Sequence, residues 1–451
     1  MSQLLSAIFY QEQVSEIFSD TAMLGYMLQV EVALARAQSK VGVIPKPAAK
    51  AITRIVKKQG VAMFDLAELG IASGLAGNVA IPFVKQLTAK VASIDEEAAR
   101  YLHWGATSQD IIDTATLLQV RDALAVIEPL LRDIHQQTLK LATAYANQLM
   151  IGRTWLQQGL PITFGHKAAR WASVYGRDIE RLEQMKARCL TAQLGGAVGS
   201  LASLDKAGSQ VVAAFAKELK LSTPECTWHG ERDRILEIAN VMAMVIGNTG
   251  NIAKDWSLMM QTEVAEVYEP TGVGRGGSST MPHKRNPVAA ASILAASNRT
   301  PALMASLYQS LVQEHERSLG AWHAEWLALP ELFKLCAGVL EKGLAVLSEL
   351  EVNAQNMQKN LDTTQGLIMA EALMMALAPK IGRMSAHHLV EDSCKQAVKQ
   401  QRHLLQVVQE NSEITAQFSV AQLNTIFNPA NYLGNIQDQI DQVIKSARSI
   451  K

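Results

Sequence analysis

The sequence predicts an all-α protein, and three observations carry that prediction. Its 13 prolines are sparse in 451 residues, and none falls between Pro161 and Pro224, between Pro224 and Pro270, or between Pro330 and Pro379. Helix interiors tolerate proline badly, so these intervals are where long helices can run. Within the second interval Ile235, Ile238, Ala239, Met242, Val245, Ile246, Ile252, Ala253, Trp256 and Met259 recur at helical spacing over about seven turns. Finally, no convincing two-residue alternation bounded by turn signals is found along the chain.

Composition narrows the function classes. A chain of 451 residues exceeds one simple core, and roughly two or three domains are expected. The 42 basic and 42 acidic residues cancel, which argues against a nucleic-acid or membrane-surface role carried by bulk charge. Cys189, Cys226, Cys336 and Cys394 lie far apart in helical-looking sequence, as buried thiols in a reducing compartment would. No CxxC or HExxH cluster suggests a metal, and His387-His388 are adjacent, so on a helix they would point different ways. No basic leader with an apolar core and no uncharged apolar run approaching membrane-spanning length is present, so a cytoplasmic location is expected.

Along the chain, an N-terminal helical domain is expected over 1–111, a central long-helix domain over 112–361 and a C-terminal helical domain over 362–451. The first edge follows His103-Trp104-Gly105-Ala106-Thr107-Ser108-Gln109-Asp110, which leads into a helix near Ile111. Thr107 with Asp110 three positions on is close to a capping box, and a helix start bearing two hydroxyls is also a cradle for a carboxylate. The second edge rests on the polar turn Leu361-Asp362-Thr363-Thr364-Gln365-Gly366. The wide apolar stripe of the central helices suggests burial on more than one side, as in a bundle extended by association of subunits.

The richest segment is Gly276-Gly277-Ser278-Ser279-Thr280-Met281-Pro282-His283-Lys284-Arg285-Asn286-Pro287. With Gly272 and Gly274 it predicts a loop, and Asn286-Pro287 reads as the start of an alanine-rich helix. Hydroxyl, ammonium and helix terminus meet there, which suits a carboxylate substrate that gains or loses a proton. The glycines also fit GxGxxG, but a charged helix end precedes them where a dinucleotide fold needs a strand. A plain linker has no need of Met-Pro, Lys and Asn-Pro in fixed register.

This run resembles the signature G-S-S-x-M-P-x-K-x-N-P of the fumarase/aspartase superfamily at every fixed position. The resemblance implies three helical domains, with central long helices forming a twenty-helix core in a homotetramer whose active sites are shared between subunits. No cofactor or metal is expected, and no nucleic-acid or membrane partner. The resemblance makes Ser278 the acid/base beside a substrate carboxylate, with Lys284 and Asn286 holding that carboxylate. Because a serine hydroxyl is a poor base, a donor such as Lys284, His283 or the helix terminus at Pro287 is expected beside it. His103 to Asp110 is similar to the superfamily's H-x-G-x-T-S-x-D region, which gives Thr107 and Ser108 a carboxylate-binding role and puts His103 near the site.

The departures are as informative. Arg153-Thr154-Trp155-Leu156-Gln157-Gln158 matches the R/Y-T-H-L-Q segment with Trp155 in the place of histidine. An indole N–H cannot shuttle a proton at neutral pH. Expulsion of an amine or hydroxide needs such help, whereas a carboxylate, an anion stable above pH ~4, does not. The pattern therefore resembles the cycloisomerase branch, in which an internal carboxylate of a muconate tricarboxylate adds to a double bond and closes a lactone. In place of the phosphate-gripping serines and last arginine of adenylosuccinate lyases stand Gly320, Trp322, His323 and Trp326, although Arg317 remains to meet a carboxylate. Gln157 joins the expected binding set. Core packing is the ordinary use of tryptophan and is weighed for Trp155, Trp322 and Trp326. An adenylosuccinate- or argininosuccinate-type lyase is the alternative within the superfamily.

Overall fold

The computed structural model describes residues 3–272, 276, 281 and 283–448 of the chain. It is 72% helical, which establishes the all-α class. Two compact units are present, one built from Met1–Leu131, Asp178–Gly250 and Ser292–Lys342, the other from Arg132–Arg177, Asn251–Ala291 and Gly343–Lys451. Each border between these stretches falls inside a continuous helix: Ser108–Ala144, Phe164–Cys189, Asp233–Met259, Val288–Gln309 or Ala321–Ser348.

In the first unit the helix Asp20–Val41 starts where the Ser19 hydroxyl accepts the Ala22 N–H, and stops at Gly42 with φ 91°. Met27, Leu34, Ile52, Phe83, Leu87, Ile111 and Phe215 are essentially solvent-free and make its core. The second unit buries Ile151, Leu361, Leu373, Leu377, Leu404, Val408 and Leu423.

The ten apolar positions singled out between Ile235 and Met259 are all at most 2% exposed. Burial of side chains of this size, worth about 1.5–3 kcal/mol each for the larger ones, drives the helix Asp233–Met259. By length and composition alone that helix could cross a bilayer. Pro129, Pro301 and Pro330 lie inside helices, so proline spacing underestimates helix length here. Burial of the long apolar faces outweighs the roughly 3 kcal/mol that an interior proline costs.

The sequence reading missed two antiparallel pairs of strands, the smaller being Val267–Tyr268 with Glu351–Val352. Leu149–Thr154 and Gln157–Thr163 pair as an antiparallel hairpin. Its two-residue turn is Trp155–Leu156, with φ 53° and 63°, the backbone of a type I′ turn. Such turns are normally announced by Asn-Gly, and two bulky residues with positive φ give no such signal. All four cysteines are free; Cys189 and Cys336 are buried, but Cys226 is exposed rather than buried as expected.

Candidate active site

The helix Ser108–Ala144 begins one residue after Thr107, so Thr107 is its N-cap. The Thr107 N–H donates to Asp110 Oδ2 at 2.9 Å, which is the reciprocal half of a capping box. Asp110 is fully buried and also accepts from Gly195 N (2.8 Å), Gly196 N (2.9 Å) and His229 Nε2 (2.7 Å). A side chain at Gly195 would bring its Cβ within 2.2 Å of Thr227 Oγ1, and Gly196 has φ 70°, so this approach of backbone to carboxylate requires both glycines.

With Asp110 committed inward, the Thr107 hydroxyl accepts from Arg317 Nη1 at 2.6 Å. Arg317 is exposed, and Thr107 and Ser108 are half-buried, so a guanidinium and two hydroxyls stand at a helix N-terminus. That set can hold a carboxylate. His103 Nδ1 lies 2.7 Å from the buried Glu31 Oε1. Burial opposes charging the His103 imidazole, but the Glu31 carboxylate outweighs it and raises the pKa above the usual 6.5.

One turn further along, Asp113 shares Arg232 with Glu325. Arg232 donates to Asp113 at 2.8 and 3.0 Å and to Glu325 at 2.9 and 2.6 Å, and its guanidinium lies 5.0 Å from the Trp228 ring. Trp322 Nε1 donates to Asp113 at 2.9 Å. Burial of this ensemble raises the Glu325 carboxyl above the usual carboxylate range, against the pull of Arg232. One guanidinium facing two buried carboxylates locks the Ser108 helix to the segments around 232 and 325.

In the second unit, Ser278 lies outside the described residues, as do Gly277, Ser279, Thr280 and Pro282. The Asn286 N–H donates to the Gly276 carbonyl at 3.0 Å, and His283 and Lys284 are exposed. Arg285 pairs bidentately with Glu351 at 2.9 and 2.7 Å, donates to the Glu269 carbonyl at 2.8 Å and stacks 4.5 Å from the Tyr268 ring.

The expected helix start needs correction. The helix begins at Val288, and the Pro287 carbonyl takes the Ala291 N–H, so Pro287 occupies the cap and Asn286 lies outside it. The N–H groups of Ala289 and Ala290 donate to the Glu269 carboxylate at 3.0 and 2.9 Å, which also accepts from Trp256 Nε1 at 3.0 Å. This terminus is therefore filled by a side chain of the protein rather than left for a ligand.

At the hairpin tip Trp155 is 97% exposed and Leu156 78%, while Gln157 beside them is also exposed. Core packing is thus excluded for Trp155 within the subunit. It holds for Trp322, which is 5% exposed against the first core with Trp326 at 4.8 Å. Arg153 below the tip is fixed by a bidentate pair with the buried Glu266 at 2.8 and 2.7 Å.

The structure thus joins Thr107 to Arg317, ties His103 to Glu31, and places Gln157, Trp155, His283, Lys284 and Asn286 in the second unit. Sequence reading missed Glu269, Arg285, Gly195, Gly196 and the pairing of His229 with Asp110. Among the described residues, the grouping with metal-ligand spacing is His387, His388 and Glu391, all exposed, with Lys395 already 2.7 Å from Glu391. Both imidazoles reach the same carboxylate, contrary to the expectation that neighbours diverge.

Comparison with known proteins agrees with this architecture. Residues 9–301 match the family model described as Lyase, and 366–443 match one described as Adenylosuccinate lyase C-terminus. The chain is 62% identical to a 3-carboxy-cis,cis-muconate cycloisomerase of Acinetobacter baylyi, covering 99% of each chain. It is 45% identical to a protein of the same description from Pseudomonas aeruginosa, covering 98% of this chain and 96% of that one. The crystal structure of beta-carboxy-cis,cis-muconate cycloisomerase from Acinetobacter calcoaceticus superposes with a TM-score of 0.93 at 60% identity, covering 98% of this chain and all of that one. With its complete signature segment and a lyase model spanning 9–301, the chain belongs to the lyase family of the fumarase/aspartase superfamily.

Proposed function

We propose that this chain lactonises 3-carboxy-cis,cis-muconate to 4-carboxymuconolactone, a step of protocatechuate degradation. The observation that carries the reading is 62% identity over 99% of the chain to an enzyme of that description. The indole of Trp155 fits it chemically, since a reaction with no amine or hydroxide to expel needs no leaving-group acid there.

In the proposed reaction one carboxylate oxygen of the substrate bonds to a carbon of the conjugated double bond. The displaced electron pair moves into a neighbouring carboxyl group, giving an aci-carboxylate, and Ser278 delivers a proton to the carbon between them. Lys284 and His283 polarise the serine. Thr107, Ser108, Arg317, Lys284, Asn286 and Gln157 hold the three carboxylates, with His103 and Trp155 bounding the site. The cationic and hydroxyl groups at Thr107 and Arg317 support this assignment.

The working enzyme is proposed to be a cytoplasmic homotetramer that completes each site from several subunits, with segment 112–361 between domains 1–111 and 362–451 forming its core. Support comes from Trp155, Leu156, Leu319 and Leu327, each at least 78% exposed, since apolar surface of this kind marks association sites.

The test is ultraviolet absorbance of 3-carboxy-cis,cis-muconate with chelator-treated protein. Bleaching of the diene, with the γ-carboxylactone identified by NMR, is the expected result, and Ser278→Ala should slow it by roughly 10²–10⁴. No bleaching by folded protein overturns the reading. Turnover of adenylosuccinate or argininosuccinate instead would favour the alternative that the C-terminal family match raises.

A further inference from the structure

We infer that a basic groove in the first unit, built by the helices Asp20–Val41, Lys46–Gln59 and Gly208–Leu219, is a binding site for a small linear polyphosphate anion. The groove is open to solvent, has a volume of about 900 Å³ and is lined by Arg36, Lys40, Lys46, Lys50, Arg54, Lys57 and Lys58, with Glu218 as its acid. In a chain whose charges cancel overall, seven cations in one groove are a pronounced local excess.

Their placement is ordered. Lys46, Lys50, Arg54 and Lys58 follow one another at intervals of four along Lys46–Gln59, which contains no acidic residue. Such positions form one ridge, with charges about 6 Å apart over roughly 18 Å of helix. The opposite face, Ala48, Ile52, Ile55 and Val56, is buried, so the cationic ridge cannot turn inward. Like charges at this spacing repel, and Lys46 adds a cation at the helix N-terminus, where the dipole disfavours it. Proteins usually relieve such a row with interleaved carboxylates. Here, among the described residues, Arg36 alone of the seven has an ion-pair partner, Glu218 at 3.2 Å. The six others, all exposed, are left to solvent and to any anion the groove binds.

The lining selects the ligand class. No aromatic ring is present to stack a base, which disfavours single-stranded nucleic acid. A groove of this volume suits a small molecule rather than a duplex. Arginine forks with lysine point charges in a row suit successive phosphates.

Inorganic tripolyphosphate is the probe, titrated calorimetrically at about 50 mM salt where surface charge is little screened. The expected dissociation constant is on the order of 10–100 µM. Lys50→Gln/Arg54→Gln should weaken it at least tenfold while leaving muconate turnover unchanged. Tripolyphosphate should raise the melting temperature of the wild type and not of the double variant, whose own melting temperature should equal or exceed the wild type's as repulsion falls. ATP arriving with similar affinity would show that the phosphate chain is what is read, whether free or on a nucleoside. Absence of tripolyphosphate binding overturns the inference, as does equal binding by the double variant, equal or tighter binding of citrate, or far tighter binding of an oligonucleotide.

Discussion

The helices that begin at Ser108 and at Val288 face the same physical problem and solve it differently. Each starts with backbone N–H groups that have no partner within the helix. At Val288 an upstream carboxylate, Glu269, accepts the Ala289 and Ala290 N–H groups, 20 and 21 positions from it. At Ser108 the helix's own Asp110 accepts the Thr107 N–H and is itself gripped by Gly195, Gly196 and His229. The first arrangement closes its terminus to ligands. The second turns its carboxylate into the interior and leaves the Thr107 hydroxyl and Arg317 outside. Both helix starts have the sequence marks of an anion cradle, and the difference lies in where the nearest carboxylate goes.

The widest effect should come from Asp110→Ala, which orphans four donors in the interior. A loss of about 3–5 kcal/mol is expected, measured as a lower denaturant midpoint at unchanged slope. A loss below about 1 kcal/mol would mean that the two helix starts do not differ in the way described.

Glu269→Ala removes the acceptor of Ala289, Ala290 and Trp256, and should cost about 2–3 kcal/mol, with Glu269→Gln recovering roughly half. If Glu269→Ala instead created a site that takes up free carboxylates and regained stability on adding acetate, the helix terminus would be shown to be plugged rather than unsuited to anions.

Thr107→Val keeps shape and removes the hydroxyl facing Arg317. Stability should change by no more than about 0.5 kcal/mol, since the pair is at the surface. In the proposed reaction kcat/KM should fall about 10- to 100-fold through lost carboxylate binding. A large stability loss with unchanged kcat/KM would make Thr107 a structural cap only.

The smallest effect is set by pH. The folded pKa of His103 is raised above 6.5, the net result of burial opposing and Glu31 favouring the cation. Its contribution is therefore complete below about pH 6.5 and is lost as pH rises through the folded value. Stability of wild type minus His103→Asn should decline over that upward window by on the order of 1 kcal/mol. A difference that grows with rising pH would contradict the pairing with Glu31.

Much of the fold was legible because it is written in local periodicity. The ridge from Ile235 to Met259 and the turn at 361–366 need only neighbouring residues to be read. The hairpin was hidden since Trp155–Leu156 carries no turn signal, and the helices through Pro129, Pro301 and Pro330 since their burial is paid by distant segments. Of the candidate site, Thr107, Ser108, Lys284 and Asn286 stood out through motif spacing. Arg317 stood out too, but not its pairing with Thr107, 210 positions away, and Gly195 and His229 did not, because they lie 85 and 119 positions from the Asp110 carboxylate they meet.

By itself the sequence determined the helical class, the long central helices and the set of hydroxyl, amide and cationic groups available for a carboxylate substrate. These depend on side-chain chemistry and on spacing along one helix or loop. Tertiary structure alone decided which helix terminus stays open, which tryptophan is buried and which cations go without partners. Each of those outcomes depends on whether a carboxylate or an apolar surface from a distant part of the chain arrives within a few ångströms, and no local pattern encodes that distance.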